Sequence, residues 1–383
     1  MISGYLHPDF GGVTQALRAV ATHKRGGGAA VAVYHEGKLV VDAWTGARDA
    51  LGRPWQSDTM AMSFSTTKGV VATVVHRLVD RGLIDYDEPV ATYWPEFAAA
   101  GKSRVTVRHL LTHSAGLHQL RDVITDAYEM LDWDVVCTRL AAEAPRYEPG
   151  TRHGYHGITY GFLVGEVIQR VTGTTIDEAV NTEIVEPLSL DGMSIGAPPD
   201  QRHRVAELIV RFGDTERFER YALHALRYAR LRPAIDAFLV PKADQLFVST
   251  EILDAAIPAV NGCFTARSLA RMYAALAGGG VLDGMRFLSP ETLRRATEIH
   301  TTERDIVVGF PMRWRLGYHL AATTRGIIPN GYGHFGFGGS GAWADPDNNL
   351  AVAFVCNRVA GTPFGDTRFL RIGSQARTAA ITR

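Results

Sequence analysis

Ser65 stands three residues before Lys68, and it is the only serine in that relation to any of the chain's five lysines. A serine in the first turn of a helix holds its hydroxyl near the positive end of the helix dipole. A lysine at i+3 lies on the same face, within reach of that hydroxyl. Where burial and nearby positive charge lower its pKa, such a lysine takes the serine proton and makes the oxygen a nucleophile. The ordinary alternative is a serine that caps a helix, because S-x-x-K recurs by chance. Tyr155 follows the run P-G-T-R-H-G at 149–154 and precedes a helical pattern of Tyr160, Phe162, Leu163, Val164 and Val167. A tyrosine on a glycine-flanked loop can point its phenol into a cleft, or simply pack on the edge of a subdomain. A third candidate is the glycine-rich run 333–341, G-H-F-G-F-G-G-S-G. Glycines in a strand let a ligand or another backbone come close, and the strand edge can then offer an N–H to an oxyanion. The competing reading is a glycine-rich turn between strands.

The elements that must hold these residues can be read around them. A first helix is expected at about 12–24, closed by Gly26-Gly27-Gly28. A β-hairpin follows at 29–44, turning at His35, Glu36 and Gly37. From Thr66 the apolar positions Val70, Val71, Val74, Val75 and Leu78 fall at helical spacing, and Arg81-Gly82 marks the stop. The stretch from about 85 to 305 reads as mostly helical, with Pro and Gly punctuation. Residues 334–358 return to strand character around an Asp-Pro-Asp-Asn turn. A last helix is expected at about 364–380. Strand signals at both ends with helices between imply an α/β fold: one antiparallel sheet built from both termini, with a mainly helical subdomain inserted. The expected division is an α/β subdomain at 1–62 plus 306–383 and a helical subdomain at 63–305, within a single catalytic unit of residues 1–383. The cleft between the two is the natural place for a site.

Composition narrows the class. The chain has 383 residues, 46% hydrophobic and 21% charged, which is ordinary for a globular enzyme. A formal net charge of +0 supplies no global field toward nucleic acid. Cys137, Cys263 and Cys356 are widely spaced and read as reduced structural thiols. The start M-I-S-G-Y-L-H-P-D-F lacks the basic and apolar regions of a signal peptide, and no stretch is long enough to span a bilayer. A cytoplasmic enzyme without integral membrane contact is expected. No histidine pair at metal-ligand spacing stands beside carboxylates, so neither metal nor cofactor is expected.

S-x-x-K, then a tyrosine motif, then a glycine-rich strand occur here in the order found in the penicillin-binding-protein and class C β-lactamase superfamily. Segments 78–97, 107–117, 149–155 and 344–350 are also family-like, and the resemblance covers about residues 15–375. It is closest to the family VIII carboxylesterases. The resemblance implies a β-lactamase/transpeptidase-like fold. It also implies that Ser65 attacks a carbonyl and becomes acylated, with Lys68 and Tyr155 as general base and acid. The backbone N–H groups of Ser65 and Phe337 would form the oxyanion hole. His334, Phe335 and Gly336 would line the cleft with His156 and Gly157.

Two departures bear on substrate. The family's Y-x-N reads Tyr155-His156-Gly157 here, and the H-x-G run carries Phe335 where threonine or serine is usual. Losing those polar partners weakens the grip on peptide-like substrates, while Phe335 and Phe337 offer apolar surface. The resemblance thus implies an esterase acting on small-molecule esters of short to medium acyl chains. A β-lactamase, D-aminopeptidase or acyltransferase on the same scaffold is the alternative, and a non-catalytic binding protein a third reading.

Other features have plainer readings. Gly338-Gly339-Ser340-Gly341-Ala342 nearly spells a hydrolase elbow, but a strand follows, so Ser340 is read as structural. His113 is read as a structural histidine in a turn. The arginines from Arg202 to Arg232 read as a solvated helical face paired with acids such as Glu216 and Glu219. The apolar stretch 238–260 reads as core plus one wall of the cleft, with a membrane-surface role for the basic-then-apolar region as the alternative.

Overall fold

A computed structural model describes residues 1–21, 26–210, 231–359 and 366–382. Its centre is a seven-stranded, wholly antiparallel sheet in the order β1-β3-β2-β12-β11-β10-β9. The strands are β1 (Ile2–Leu6), β2 (Gly28–His35), β3 (Lys38–Gly46), β9 (His319–Thr323), β10 (Gly326–Phe335), β11 (Gly341–Asp345) and β12 (Leu350–Cys356). Strand β2 pairs with β12, so the two ends of the chain meet at the middle of the sheet. The hairpin between β2 and β3 turns at Glu36 and Gly37, both with positive φ, 50° and 74°. That is the backbone sense that matches the twist of an antiparallel pair.

Both faces of the sheet are buried, and the alternation of side-chain size decides what lies on each. Along β2, Ala29, Val31 and Val33 face one core while Ala30, Ala32 and Tyr34 face another. Along β12, Leu350, Val352, Phe354 and Cys356 face the first, and Ala351, Ala353 and Val355 the second. Helix α1 (Gly11–Ala21), the 3-10 turn Pro8–Phe10 before it and the helix Thr367–Thr382 cover the bulkier face with Phe10, Val13, Leu17, Phe369 and Ile372. The alanine-rich face lets the helix Ala266–Ala277, itself contributing Ala270, Ala274 and Ala277, lie close against β2, β11 and β12. This is the small-against-large interdigitation that close packing demands.

Between the terminal halves the chain is mainly helical, including α2 (Thr67–Asp80) and the helix Thr159–Thr172. One feature was not expected: β4 (Ala61–Met62), β5 (Met193–Ile195) and β6 (Gly262–Phe264) form a small antiparallel sheet, and β7 (Val281–Leu282) with β8 (Met285–Arg286) a short ribbon. Strands of two or three residues carry too little periodicity to be read from sequence. The N-terminal helix spans Gly11–Ala21, and the rest of its expected range lies outside the described residues. The C-terminal helix is Thr367–Thr382, two residues beyond its expected end. Arg211, Arg217, Arg220, Arg227 and Arg230, with Glu216 and Glu219, lie outside the described residues. Arg202 pairs with Asp254 and Arg204 with Asp191. No helix among the described residues is long and apolar enough to cross a membrane.

Candidate active site

Ser65 sits on a sharp turn. Strand β4 ends at Met62, a 3-10 turn spans Phe64–Thr66, and α2 begins at Thr67. Phe64 has φ +47°, a left-handed conformation that a bulky residue adopts only when its surroundings enforce it. The enforcing contacts come from β6. The Ser63 N–H donates to Gly262 O at 2.8 Å, and the Gly262 N–H donates to Thr67 Oγ1 at 3.1 Å. The Phe64 ring is held edge-on between Phe337 and Phe247, with centroids 5.4 and 5.7 Å away.

Lys68 is fully buried, and its Nζ lies 2.9 Å from Ser65 Oγ and 3.2 Å from Ala259 O. Among the described residues no carboxylate pairs with it, and burial holds its pKa well below the ordinary lysine value. It therefore favours the neutral amine, whose lone pair can accept a proton. The Nζ also stands 4.9 Å from the centroid of the Tyr155 ring. Burial raises the Tyr155 phenol above the ordinary tyrosine range, an effect that the neighbouring Ser65 hydroxyl opposes. The trio thus pairs a proton-accepting amine with a proton-retaining phenol around one half-buried hydroxyl.

Strand β10 delivers the opposite wall. A side chain at Gly336 would place its Cβ 2.1 Å from Ser63 O, so only glycine lets the end of β10 close on the nucleophile turn. The chain then turns back, with Gly336 N–H donating to Ser340 O at 2.8 Å. Among the described residues neither the Ser65 nor the Phe337 N–H has a hydrogen-bond acceptor within the protein. Ser340 is buried, and its Oγ accepts the Cys356 N–H at 3.1 Å, a structural bond inside the sheet.

Several site expectations need correction. Phe335 does not face the cleft. Strand alternation turns its ring to the other side, against His319 at 4.6 Å and Phe369 at 5.7 Å. His156 is fully buried behind the site, where its Nε2 accepts the Leu117 N–H at 3.0 Å and its own N–H donates to His113 Nδ1 at 3.1 Å. It holds the loop of Tyr155 and has no surface for a substrate. His334 is buried with its ring 6.2 Å from that of Tyr155. Its Nδ1 lies 3.0 Å from Phe335 O, and burial beside His319 and Lys68 keeps it neutral. His113, with φ +57°, receives the Gly154 N–H on its carbonyl at 2.9 Å and packs on Tyr155.

Other positioning residues were not singled out. Asp305 Oδ1 accepts the N–H groups of Tyr155 (3.1 Å), Val307 (2.8 Å) and Val308 (2.9 Å), and its Oδ2 accepts Trp314 Nε1–H at 3.0 Å. It thereby ties the Tyr155 loop to Trp314, which stacks on Tyr155 at 5.5 Å. Asn261 fixes the Ala259 carbonyl that Lys68 meets. Its amide donates to Ile252 O and Ala255 O and accepts the Ile257 N–H at 2.9 Å. Lone residues so far from the motifs carry no local signal. The apolar stretch 238–260 supplies core through Val240, Leu246, Ile252 and Ile257.

A serine turn with a buried lysine, a loop tyrosine and a glycine-bearing strand, set against an antiparallel sheet, is the arrangement of the serine hydrolases of the β-lactamase/transpeptidase fold. The chain belongs to the β-lactamase family, whose model matches residues 13–377. It is 40% identical over 371 residues to the esterase/β-lactamase LipL of Mycobacterium tuberculosis (strain ATCC 25618 / H37Rv), covering 94% of this chain and 83% of LipL. It is 32% identical over 205 residues to the esterase EstB of Burkholderia gladioli, about half of each chain (49% and 51%). Among solved structures, a family VIII carboxylesterase superposes with TM-score 0.86 at 36% identity, covering 99% of this chain and 100% of that one. A penicillin-binding-protein homologue from Caulobacter crescentus gives 0.85 at 36% identity over the same shares. The protein is a serine hydrolase of this family.

Proposed function

We propose that the protein is a carboxylesterase that hydrolyses small esters of short to medium acyl chains through an acyl-enzyme on Ser65. The observation that carries this is the buried Lys68 amine 2.9 Å from Ser65 Oγ. In acylation the neutral amine takes the Ser65 proton as the oxygen adds to the ester carbonyl. The oxyanion that forms is met by the Ser65 and Phe337 N–H groups. As the carbonyl re-forms and the C–O bond to the alcohol breaks, the Tyr155 phenol protonates the departing alkoxide. The phenolate regains its proton from the Lys68 ammonium, so both groups return to their starting state. Water then gives a proton to Lys68 and attacks the acyl carbon. Ser65 leaves with a proton and the carboxylic acid is released.

Two observations favour an ester over a peptide-like amide. Gly157 offers no side-chain amide, and Phe335 neither carries a hydroxyl nor faces the cleft. A β-lactamase side activity is the second reading, supported by the 40% identity to the esterase/β-lactamase LipL. The deciding experiment is the initial rate on p-nitrophenyl butyrate for wild type and Ser65→Ala, with a chromogenic cephalosporin alongside. Turnover by wild type that falls to background in the variant is expected. Equal rates would remove Ser65 from the mechanism, and turnover of the lactam alone would replace the esterase reading.

A further inference from the structure

Resting on the esterase reading and on Phe337 as its oxyanion donor, we infer that Arg368, braced by Asp366, is a positioning residue that holds the turn 336–339 and so aims the Phe337 N–H. This turn joins β10 to β11 and lies against the nucleophile, with the Phe337 ring edge-on to Phe64 at 5.4 Å. Gly336 O and the Phe337 N–H belong to one trans peptide plane and point opposite ways. Whatever holds Gly336 O therefore also aims the Phe337 N–H. Within the turn, the Gly339 N–H donates to Gly336 O at 3.3 Å, a long bond. Gly338 and Gly339 have φ of +89° and +118°. Adjacent glycines give a backbone the widest freedom it can have, so the turn needs a hold from outside.

Arg368 supplies that hold from the first turn of the helix Thr367–Thr382. Its Nη2 donates to Gly338 O, on the peptide that joins Gly338 to Gly339. Its Nη1 donates to Arg358 O at 3.1 Å. The guanidinium is itself locked, because Nε and Nη2 donate to Asp366 Oδ1 and Oδ2 at 2.9 and 2.7 Å. This is the bidentate geometry of a strong charge-assisted pair. Its side chains are only 12% and 4% exposed, so little water competes for it. A Cβ at Gly339 would run into Arg368 Nη2 and lie 2.9 Å from Asp366 Oδ2, so the pair lies directly against the turn. The next residue, Phe369, seats the helix on β11, where a Cβ at Gly341 would lie 2.6 Å from its Cε1. One planar fork thus serves a carboxylate and two carbonyls at once, a set that a lysine ammonium cannot reproduce.

The test sets hydrolysis of p-nitrophenyl butyrate beside inhibition by hexyl trifluoromethyl ketone. Ser65 Oγ adds to the ketone carbon, its proton passes to Lys68, and the C=O electron pair settles on oxygen. The resulting oxyanion stands where the one formed from the ester would stand. Arg368→Met should lower kcat by about tenfold or more and raise the ketone's inhibition constant by a similar factor. KM for the ester should stay close to wild type, as expected when only the transition state loses a contact. Arg368→Lys should recover part of the loss. Asp366→Asn should shift both readouts the same way, and it carries the test where Arg368→Met does not fold. Arg377→Met removes a different ion pair of the same helix, to Asp345 at 2.8 Å, and should leave the inhibition constant as in wild type. Neither KM nor an inhibition constant depends on the folded fraction, so a loss of folded protein does not mimic the effect. An unchanged inhibition constant and kcat in the Arg368 or Asp366 variants would overturn the inference. So would equal weakening in Arg377→Met, which would reduce Arg368 to an anchor of the helix. If wild type hydrolyses the ester and Ser65→Ala does not, that failure leaves the esterase reading standing. If wild type hydrolyses no ester, both fall together.

Discussion

Lys68 shows how a site residue works against the fold that holds it. Buried without a counter-charge, it favours the neutral amine in the folded protein. The unfolded chain keeps it protonated up to the ordinary value of 10.5. Below pH 10.5 the folded state is therefore penalised wherever it has released a proton that the unfolded chain still holds. Lys68→Met should then raise the thermal midpoint by about 2 °C or more while abolishing ester turnover, measured by calorimetry and a p-nitrophenyl ester assay. An unchanged or lower midpoint would contradict a buried, uncompensated amine. The same asymmetry shapes the pH profile. kcat/KM should fall on the acid side as Lys68 gains its proton, at a pH below the ordinary lysine range. The alkaline fall should be delayed, because burial holds the Tyr155 proton above the ordinary tyrosine range. Tyr155→Phe should cost about 10²–10⁴-fold in kcat, and an unaltered rate would remove it from proton transfer.

At the scale of elements, the site is a junction of three: the β4-to-α2 turn, the Tyr155 loop and the end of β10. Gly336 is the tightest point of that junction. Gly336→Ala puts a Cβ 2.1 Å from Ser63 O, and backbone on both sides must move. The Phe337 N–H then leaves its position beside Ser65. The expected loss is about 10²–10³-fold in kcat, with fluorophosphonate labelling of Ser65 slowed as well. A variant that keeps wild-type kcat would show that β10 does not supply the oxyanion donor. Lys102 binds two other elements together in the helical half. It is fully buried and donates to the carbonyls of Ala99, Ala141 and Glu143, closing the end of the helix Trp133–Ala142 onto the 95–102 loop. Lys102→Met leaves three carbonyls, that of Ala141 buried, without their donor and should destabilise the fold by about 1–3 kcal/mol, read by urea unfolding. Activity of the folded fraction should persist, since Lys102 touches none of the three site elements.

Over the whole molecule, buried neutral histidines set the acid limit. His76, His113, His118, His156, His319 and His334 are all buried with lowered pKa values. His76, between the Tyr86 hydroxyl at 2.7 Å and Leu316 O at 3.0 Å, is pushed down to about 3. Each folded pKa is depressed below the unfolded value of 6.5. Their stabilising effect is therefore complete above that pH and is lost as pH falls toward the folded values, because the unfolded state binds the protons first. These histidines should add no slope to the free energy of unfolding from about pH 7 to 8 and should make it decline steadily below pH 6.5. A urea series showing equal stability at pH 7 and pH 5 would rule this out.

The sequence alone determined the class of hydrolase and the outline of this protein. Ser65, Lys68 and Tyr155 stood out by residue type, spacing and glycine context, which are local properties of the chain. The hairpin of β2 and β3, helix α2 and strands β11 and β12 were legible because side-chain periodicity is written into consecutive residues. Only the tertiary structure decided what those residues face. Phe335 was read as a cleft residue, yet the alternation of β10 buries its ring on the far side of the sheet. His156 lay beside the catalytic candidate in sequence and turned out to be scaffold behind it. Asp305, 150 residues from Tyr155, and Phe238, packed on Gly157, reach the site through long-range contacts that no local pattern encodes. The physical reason is the same in each case. Periodicity and propensity are set by neighbours along the chain, whereas burial, pKa and the lining of a cleft are set by neighbours in space.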